Sequence, residues 1–213
     1  MSKLRTGRQK YYNIFSHFYD LFIKMHSHNY GDETRKFLVD SAQLEDKNQP
    51  RVLDICCGTG SVVLAFARQF PDILAVGYDF SLGMMHQAKE KDLSDQIIFI
   101  NGDAARLSFI DDSFDVICCS HALYELKNQV RRDALSEMKR VVKPDGLVLI
   151  MEHEVPSRSF IKILFYIRML MMGPKDSREF VKQGLSPFEK IFATATLSHT
   201  PSGKSKLIIC RKK

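Results

Sequence analysis

Three features of the sequence point to an α/β domain, a mostly parallel sheet with helices on both faces. Short apolar runs alternate with helix-like stretches through the middle of the chain, between Arg51 and Met151. That alternation is the pattern of strands joined by crossover helices. The runs are almost continuously apolar, as burial of a strand on both faces requires. Third, the first run opens into a glycine turn, Gly58-Thr59-Gly60, directly ahead of a helical pattern. Strand, turn and helix in that order begin a βαβ unit, whose wind is right-handed.

Each element has its own signal. Residues 10–43 read as helices rich in aromatics, with Tyr11, Tyr12, Phe15, Phe18, Tyr19 and Phe22. Residues 51–57 form the first strand, bounded by Pro50 and Gly58. Val62, Ala65, Phe66 and Phe70 recur at helical spacing until Pro71 ends the helix. A second strand over 74–79 leads to a helix over 81–90 with Ser81 as its cap. Strands follow at 97–100 and 114–119, then an amphipathic helix at 130–142, stopped by a Pro144-Asp145-Gly146 turn. The fifth strand is 147–151. Residues 160–172 are apolar nearly all round, and two last strands near 190–198 and 206–210 are joined by a Pro201-Ser202-Gly203 turn. We expect one domain over 1–213: a helical cap (1–45), a core (46–155), a lid or substrate insertion (156–186) and a hairpin (187–213).

Composition narrows the class. The chain has 213 residues, 45% hydrophobic and 26% charged, enough for one globular core. Its first residues are polar and basic with no apolar stretch, so no secretory signal is expected and the protein is expected to be cytoplasmic. Residues 161–172 carry Arg168 and are too few to span a bilayer. The net charge of +6 is concentrated at the two ends, as Arg5, Arg8, Lys10 and Lys204, Lys206, Arg211, Lys212, Lys213. Elsewhere basic residues alternate with acids, which favours a solvated surface over a nucleic-acid partner. Cys56-Cys57 and Cys118-Cys119 sit inside apolar runs without Cys-x-x-Cys spacing, so neither a disulfide framework nor a metal site is expected.

The candidate binding residues lie at three strand ends. Glycines at 58 and 60 let the backbone turn tightly and approach a ligand where a Cβ would collide. The helix that follows offers free N–H groups to an anion. Asp79 ends the second strand, where a carboxylate can accept both hydroxyls of a ribose. Asn101-Gly102-Asp103-Ala104 follows the third strand, and Asp103 can accept an exocyclic adenine amine. Structural roles compete: Asp54 could hold the glycine turn, Asp79 could cap a helix and Asp103 could belong to a turn.

Val52-Leu53-Asp54-Ile55-Cys56-Cys57-Gly58-Thr59-Gly60 resembles motif I of the class I S-adenosylmethionine-dependent methyltransferases, with Cys56 where the first glycine is usual. Asp79 and Gly102-Asp103-Ala104 match that family's ribose and adenine positions. Phe114-Asp115-Val116-Ile117-Cys118-Cys119 and Lys139-Arg140-Val141-Val142-Lys143-Pro144-Asp145-Gly146 resemble its fourth strand and the turn before its fifth. The resemblance covers residues 45–152 and implies a Rossmann-like, seven-stranded sheet closing in an antiparallel hairpin. It implies S-adenosylmethionine as cofactor, S-adenosylhomocysteine as product, and a cofactor site of Tyr19, Asp54, Cys56, Gly58, Thr59, Gly60, Asp79, Phe80, Ser81, Met84, Gly102, Asp103, Ala104 and Ser120. Phe15-Ser16-His17-Phe18-Tyr19-Asp20 is similar to an N-terminal segment of the ubiquinone/menaquinone-biosynthesis methyltransferases.

On the acceptor side, Ser120-His121-Ala122-Leu123-Tyr124 follows strand four, where the family places substrate-facing residues. In-line methyl transfer gains most from alignment and desolvation, and needs a base only for an acceptor that carries a proton. His121 is the candidate base and Tyr124 a candidate orienting group. Glu152-His153-Glu154 reads as a solvated loop, with the pocket as alternative. Residues 161–172 read as a lid over an apolar pocket, with peripheral membrane contact as the alternative. The expected function is methyl transfer to a small apolar acceptor, quinone- or lipid-like. An RNA or other polar acceptor, or a SAM-binding protein without turnover, is the alternative. A dinucleotide oxidoreductase is disfavoured by Val63 in place of the third glycine.

Overall fold

The computed structural model describes residues 9, 11–13, 16, 30–93, 95–155, 162–163, 165–166 and 176–213. Its strands are β1 (Arg51–Ile55), β2 (Leu74–Asp79), β3 (Ile97–Asn101), β4 (Phe114–Ser120), β5 (Val142–His153), β6 (Thr194–His199) and β7 (Ser205–Arg211). Its helices are α1 (Tyr30–Asp40), α2 (Ser61–Gln69), α3 (Leu82–Lys91), α4 (Asn128–Val141), α5 (Ser177–Lys182) and α6 (Ser186–Glu189), with a 3₁₀ turn at Leu123–Glu125. Residues 9, 11–13 and 16 are helical as well. The strands form one seven-stranded sheet in the order β3-β2-β1-β4-β5-β7-β6. Pairs β1–β2, β2–β3 and β4–β5 are parallel, and β7 runs antiparallel to both β5 and β6. This is the mostly parallel sheet with a closing hairpin that the sequence predicts. Phe15, Phe18, Tyr19 and Phe22 lie outside the described residues, as does most of the proposed lid.

The chain forms two compact units, residues 1–104 and 105–213. In the first, Val52, Leu53 and Ile55 of β1 have no exposed surface, which explains their unbroken apolar run. Helix α2 turns Val62, Val63, Phe66 and Ala67 inward and packs on β1, β2 and β3. A side chain buried as fully as Phe66 contributes about 1.5–3 kcal/mol. Helix α1 packs on α2, and α3 packs on β2 and β3. β1 ends at Ile55, two residues before the end expected from the apolar run, because Cys56 adopts φ 58° and leaves the extended region.

In the second unit, residues 114–119 of β4 are buried. Helix α4 presents Ala134, Leu135, Met138 and Val141 on one face, packed on β5. The expected Pro144-Asp145-Gly146 stop does not end an element. β5 runs from Val142 to His153, and its extra residues are taken up in a bulge: Phe114 pairs with Val142, whereas Val116 pairs with Leu147. Lys143 Nζ donates to both Asp115 carboxylate oxygens at 2.9 Å, pinning the bulge. A Cβ on Gly146 would lie 2.7 Å from the Asp115 carbonyl oxygen, so glycine is required there.

Candidate active site

The first unit gathers the motif residues around the end of β2. Gly58 N–H donates to Asp79 Oδ2 at 3.0 Å, and Ser81 N–H donates to Asp79 Oδ1 at 2.8 Å. The Asp79 carbonyl oxygen accepts from Gly102 N–H and from Asn101 Nδ2, both at 2.9 Å. Cys57 N–H donates to the Tyr78 carbonyl at 3.2 Å. One residue thus ties together the loops after β1, β2 and β3. The two backbone donors use half of the roughly four lone-pair sites of a carboxylate and fix its orientation.

The glycine turn has the backbone its sequence implies. Cys56, Gly58 and Gly60 take φ 58°, 54° and 77° in succession around the bend. A Cβ built on Gly58 would meet nothing within 4 Å, so its backbone is open to a ligand. Gly60 is the N-cap of α2, and a Cβ there would press on Ala88 Cβ at 3.0 Å. Asp54 is buried, and its Oδ2 accepts from Val63 N–H at 3.2 Å, replacing the side-chain cap that Gly60 lacks. Thr59 is buried, Asp103 is half-buried and Ala104 is buried. Burial, with Asp79 and Asp54 nearby, pushes the Cys57 thiol well above its ordinary range, so it stays protonated. None of the five cysteines forms a disulfide.

The N-terminal helical residues complete this network, and nothing in their sequence announced it. Asn13 Oδ1 accepts from Ser81 Oγ at 2.7 Å and from Gly83 N–H at 3.1 Å. Gln9 Nε2 donates to the Phe80 carbonyl at 2.8 Å, and Tyr12 meets the Phe80 ring edge-on at 5.9 Å. Ser81 caps α3 as expected, accepting from Met84 N–H at 3.3 Å, and Met84 itself is buried.

In the second unit, Ser120 and His121 follow β4. His121 has φ 53° and donates its N–H to the Met151 carbonyl at 2.7 Å. Its Nδ1 lies 3.0 Å from Ser120 Oγ and its Nε2 lies 3.1 Å from Ser205 Oγ. The His153 ring stands 4.2 Å from the His121 ring, centre to centre, and 5.8 Å from Tyr124. His153, read from sequence as loop, therefore belongs to the last residue of β5 and to this cluster. Ser205 was not legible as a partner because 84 residues separate it from His121. Tyr124 is buried, and its hydroxyl donates to Glu125 Oε1 at 3.1 Å.

A buried charged layer supports the 3₁₀ turn that carries Tyr124. Arg131, only 4% exposed, donates to the carbonyls of Leu123 (2.8 Å) and Leu126 (2.5 Å) and to Asp176 Oδ2 (3.1 Å). Ser177 Oγ donates to the Tyr124 carbonyl at 2.6 Å. Glu152 is 2% exposed, and neither carboxylate oxygen has a hydrogen-bond partner among the described residues. Burial pushes its acid up to about 8, against the pull of the Tyr124 backbone, Lys206 and Arg131. Among the described residues no group of His, Cys, Asp and Glu is arranged to hold a metal. No described helix is long and apolar enough to cross a membrane.

Known proteins match this geometry. A family described as a methyltransferase domain matches residues 52–146. Demethylmenaquinone methyltransferase of Staphylococcus aureus is 33% identical over 134 residues, 62% of this chain and 55% of that protein. The chain thus spans about half the length of the curated relatives it matches. A Haloferax volcanii putative methyltransferase, solved in complex with the Trm112 methyltransferase activator, superposes with TM-score 0.71 at 16% identity, over 94% of this chain and 97% of that one. Human N-acetylserotonin methyltransferase, solved with S-adenosylmethionine, gives TM-score 0.65 at 16% identity, over 84% of this chain and 51% of that one. Residues 52–146 are thus similar to a methyltransferase domain, and the fold of the chain is similar to that of solved methyltransferases.

Proposed function

We propose that the chain transfers the methyl group of S-adenosylmethionine to a small apolar acceptor, quinone- or lipid-like, releasing S-adenosylhomocysteine. The observation that carries the cofactor reading is the open backbone at Gly58 beside an Asp79 carboxylate already oriented by Gly58 and Ser81. Residues 56–60 would cradle the amino-acid end, Asp79 the ribose, and Phe80, Met84 and Asp103 the adenine side. Tyr19 and Ser120 are the further candidates for contact with the cofactor. The cofactor supplies a methyl group on a sulfonium, which needs no metal. The protein's part is to align the acceptor, exclude water and receive a proton where the acceptor carries one. His121 is the group proposed to receive it, and Tyr124 orients the acceptor. The acceptor class is supported by the named quinone-pathway relative and by the apolar composition of residues 160–172.

Calorimetric titration with S-adenosylmethionine tests the site. Asp79→Ala is expected to weaken binding by about 2 kcal/mol or more through lost charge-assisted hydrogen bonds. Unchanged affinity would remove Asp79 from the site. Methyl-tritiated cofactor with a cell extract tests the acceptor. Label in the organic phase supports the apolar reading, label only in water replaces it with a polar acceptor, and no label despite binding points to a protein without turnover.

A further inference from the structure

The imidazoles of His121 and His153 lie against each other, ring centres 4.2 Å apart and planes tilted by 41°. Both His121 ring nitrogens are met by hydroxyls, Ser120 Oγ at 3.0 Å and Ser205 Oγ at 3.1 Å. Ser205 is 5% exposed, and its backbone is locked by Thr200: Thr200 Oγ1 accepts from Ser205 N–H at 3.2 Å, and Thr200 N–H donates to the Ser205 carbonyl at 2.9 Å. A hydroxyl can either donate or accept, so the two serines suit a neutral His121 and a charged one alike. They hold the ring in place without choosing its charge. The neighbouring ring at 4.2 Å bears on that charge, because two imidazolium cations that close repel.

We propose that His153 is a positioning residue that keeps His121 an uncharged, proton-accepting base, with Ser120 and Ser205 fixing its ring. This deepens the methyl-transfer reading and rests on it. As the acceptor's electron pair forms a bond to the methyl carbon, the carbon–sulfur bond breaks and its electrons stay on sulfur. The acceptor's proton passes to Ser120 Oγ while the Ser120 proton passes to His121 Nδ1. The positive charge that leaves the sulfonium is thereby conserved on the imidazolium. His121 Nε2–H donates to Ser205 throughout, which keeps Nδ1 as the receiving atom.

Several charged and titratable groups stand near the pair, and the buried acid Glu152 precedes His153 in β5. Tyr124 stands beside His153, with its hydroxyl bound to Glu125. Phe165 covers the His153 ring edge-on at 6.3 Å. Just past His153, Glu154 pairs with His199 at 3.1 Å and donates its N–H to the Lys204 carbonyl. Lys206 follows Ser205 and sends its Nζ toward the Val181 carbonyl.

The test is an imidazole NMR titration of the full chain, without cofactor or acceptor. In the unaltered protein the two rings are expected to titrate in steps separated by about one pH unit or more, a tenfold difference in proton affinity. His153→Phe keeps a ring against His121 but removes the second charge, and is expected to raise the His121 midpoint by about the same amount. His153→Gln serves as the second variant, with backbone spectra showing that each is folded. A His121 midpoint unmoved in both folded variants would overturn the proposal. Coupled titration in a protein that transfers no methyl group would leave the pair standing and count against the methyltransferase reading alone. Where transfer is measurable, the rise of rate with pH is expected to shift upward in His153→Phe alongside the NMR midpoint.

Discussion

Replacing Glu152 by glutamine should remove a loss of stability that otherwise accompanies rising pH across the neutral range. The carboxyl is 2% exposed, its oxygens have no hydrogen-bond partner among the described residues, and burial lifts it from 4.5 to about 8. Between those values the folded protein holds a proton that the unfolded chain has released. Stability must then fall as pH rises, by about 1.4 kcal/mol per pH unit while the difference in bound protons is complete. From about pH 5 to about pH 8 that amounts to roughly 4 kcal/mol, large beside a typical domain stability of about 5–15 kcal/mol. Lys206 and Arg131 pull in the opposite direction and have already been offset in the raised value. Glu152→Gln has nearly the same shape and no charge to gain. Urea unfolding of both proteins at a series of pH values reads the slope directly, since the midpoint moves with stability at constant m. Parallel curves for the two proteins would refute the argument and mean that Glu152 is solvated or ion-paired in solution.

Two further substitutions probe the packing around the sites. Gly102→Ala would set a Cβ 1.8 Å from the Tyr78 hydroxyl oxygen and 2.2 Å from its ring carbon, so it should destabilise by about 1–3 kcal/mol in thermal or urea unfolding. Adding Tyr78→Ala should make the pair less than additive, and strict additivity would show that the two residues do not meet. Arg131→Met strips the donors from the Leu123 and Leu126 carbonyls and leaves Asp176 without its cation, at a cost of about 3 kcal/mol or more. Arg131→Lys should not restore it in the same unfolding assay, because an ammonium cannot span the planar fork.

The parts legible in the sequence were those governed by short-range pattern. Apolar runs placed the parallel strands within a few residues, and helical spacing placed α2 and α4. Ser81 was readable as a cap because capping acts over three residues. Pro144-Asp145-Gly146 misled because a turn signal says nothing of a partner strand able to absorb the extra residues in a bulge. Cys56 hid the left-handed turn, since a non-glycine residue at φ 58° is indistinguishable by type from one in a strand. At the sites, the order of glycines and acids was visible in the chain. The links from Asn13 to Ser81, from His121 to Ser205 and from Arg131 to Asp176 cross 45 to 84 residues and follow only from the folded topology.

Asn13 gives the first unit a thermodynamic hinge pin. Its single side-chain oxygen takes the Ser81 hydroxyl and the Gly83 N–H, so docking of the N-terminal helical residues and the fixed form of the loop after β2 are coupled. Linkage then works in both directions. A ligand that favours the fixed form of residues 80–83 must favour the docked helix by the same free energy, and loosening the helix must weaken that ligand equally. A truncation or fusion at the N-terminus, far in sequence from every motif glycine and acid, would therefore register as a change in affinity at the end of β2.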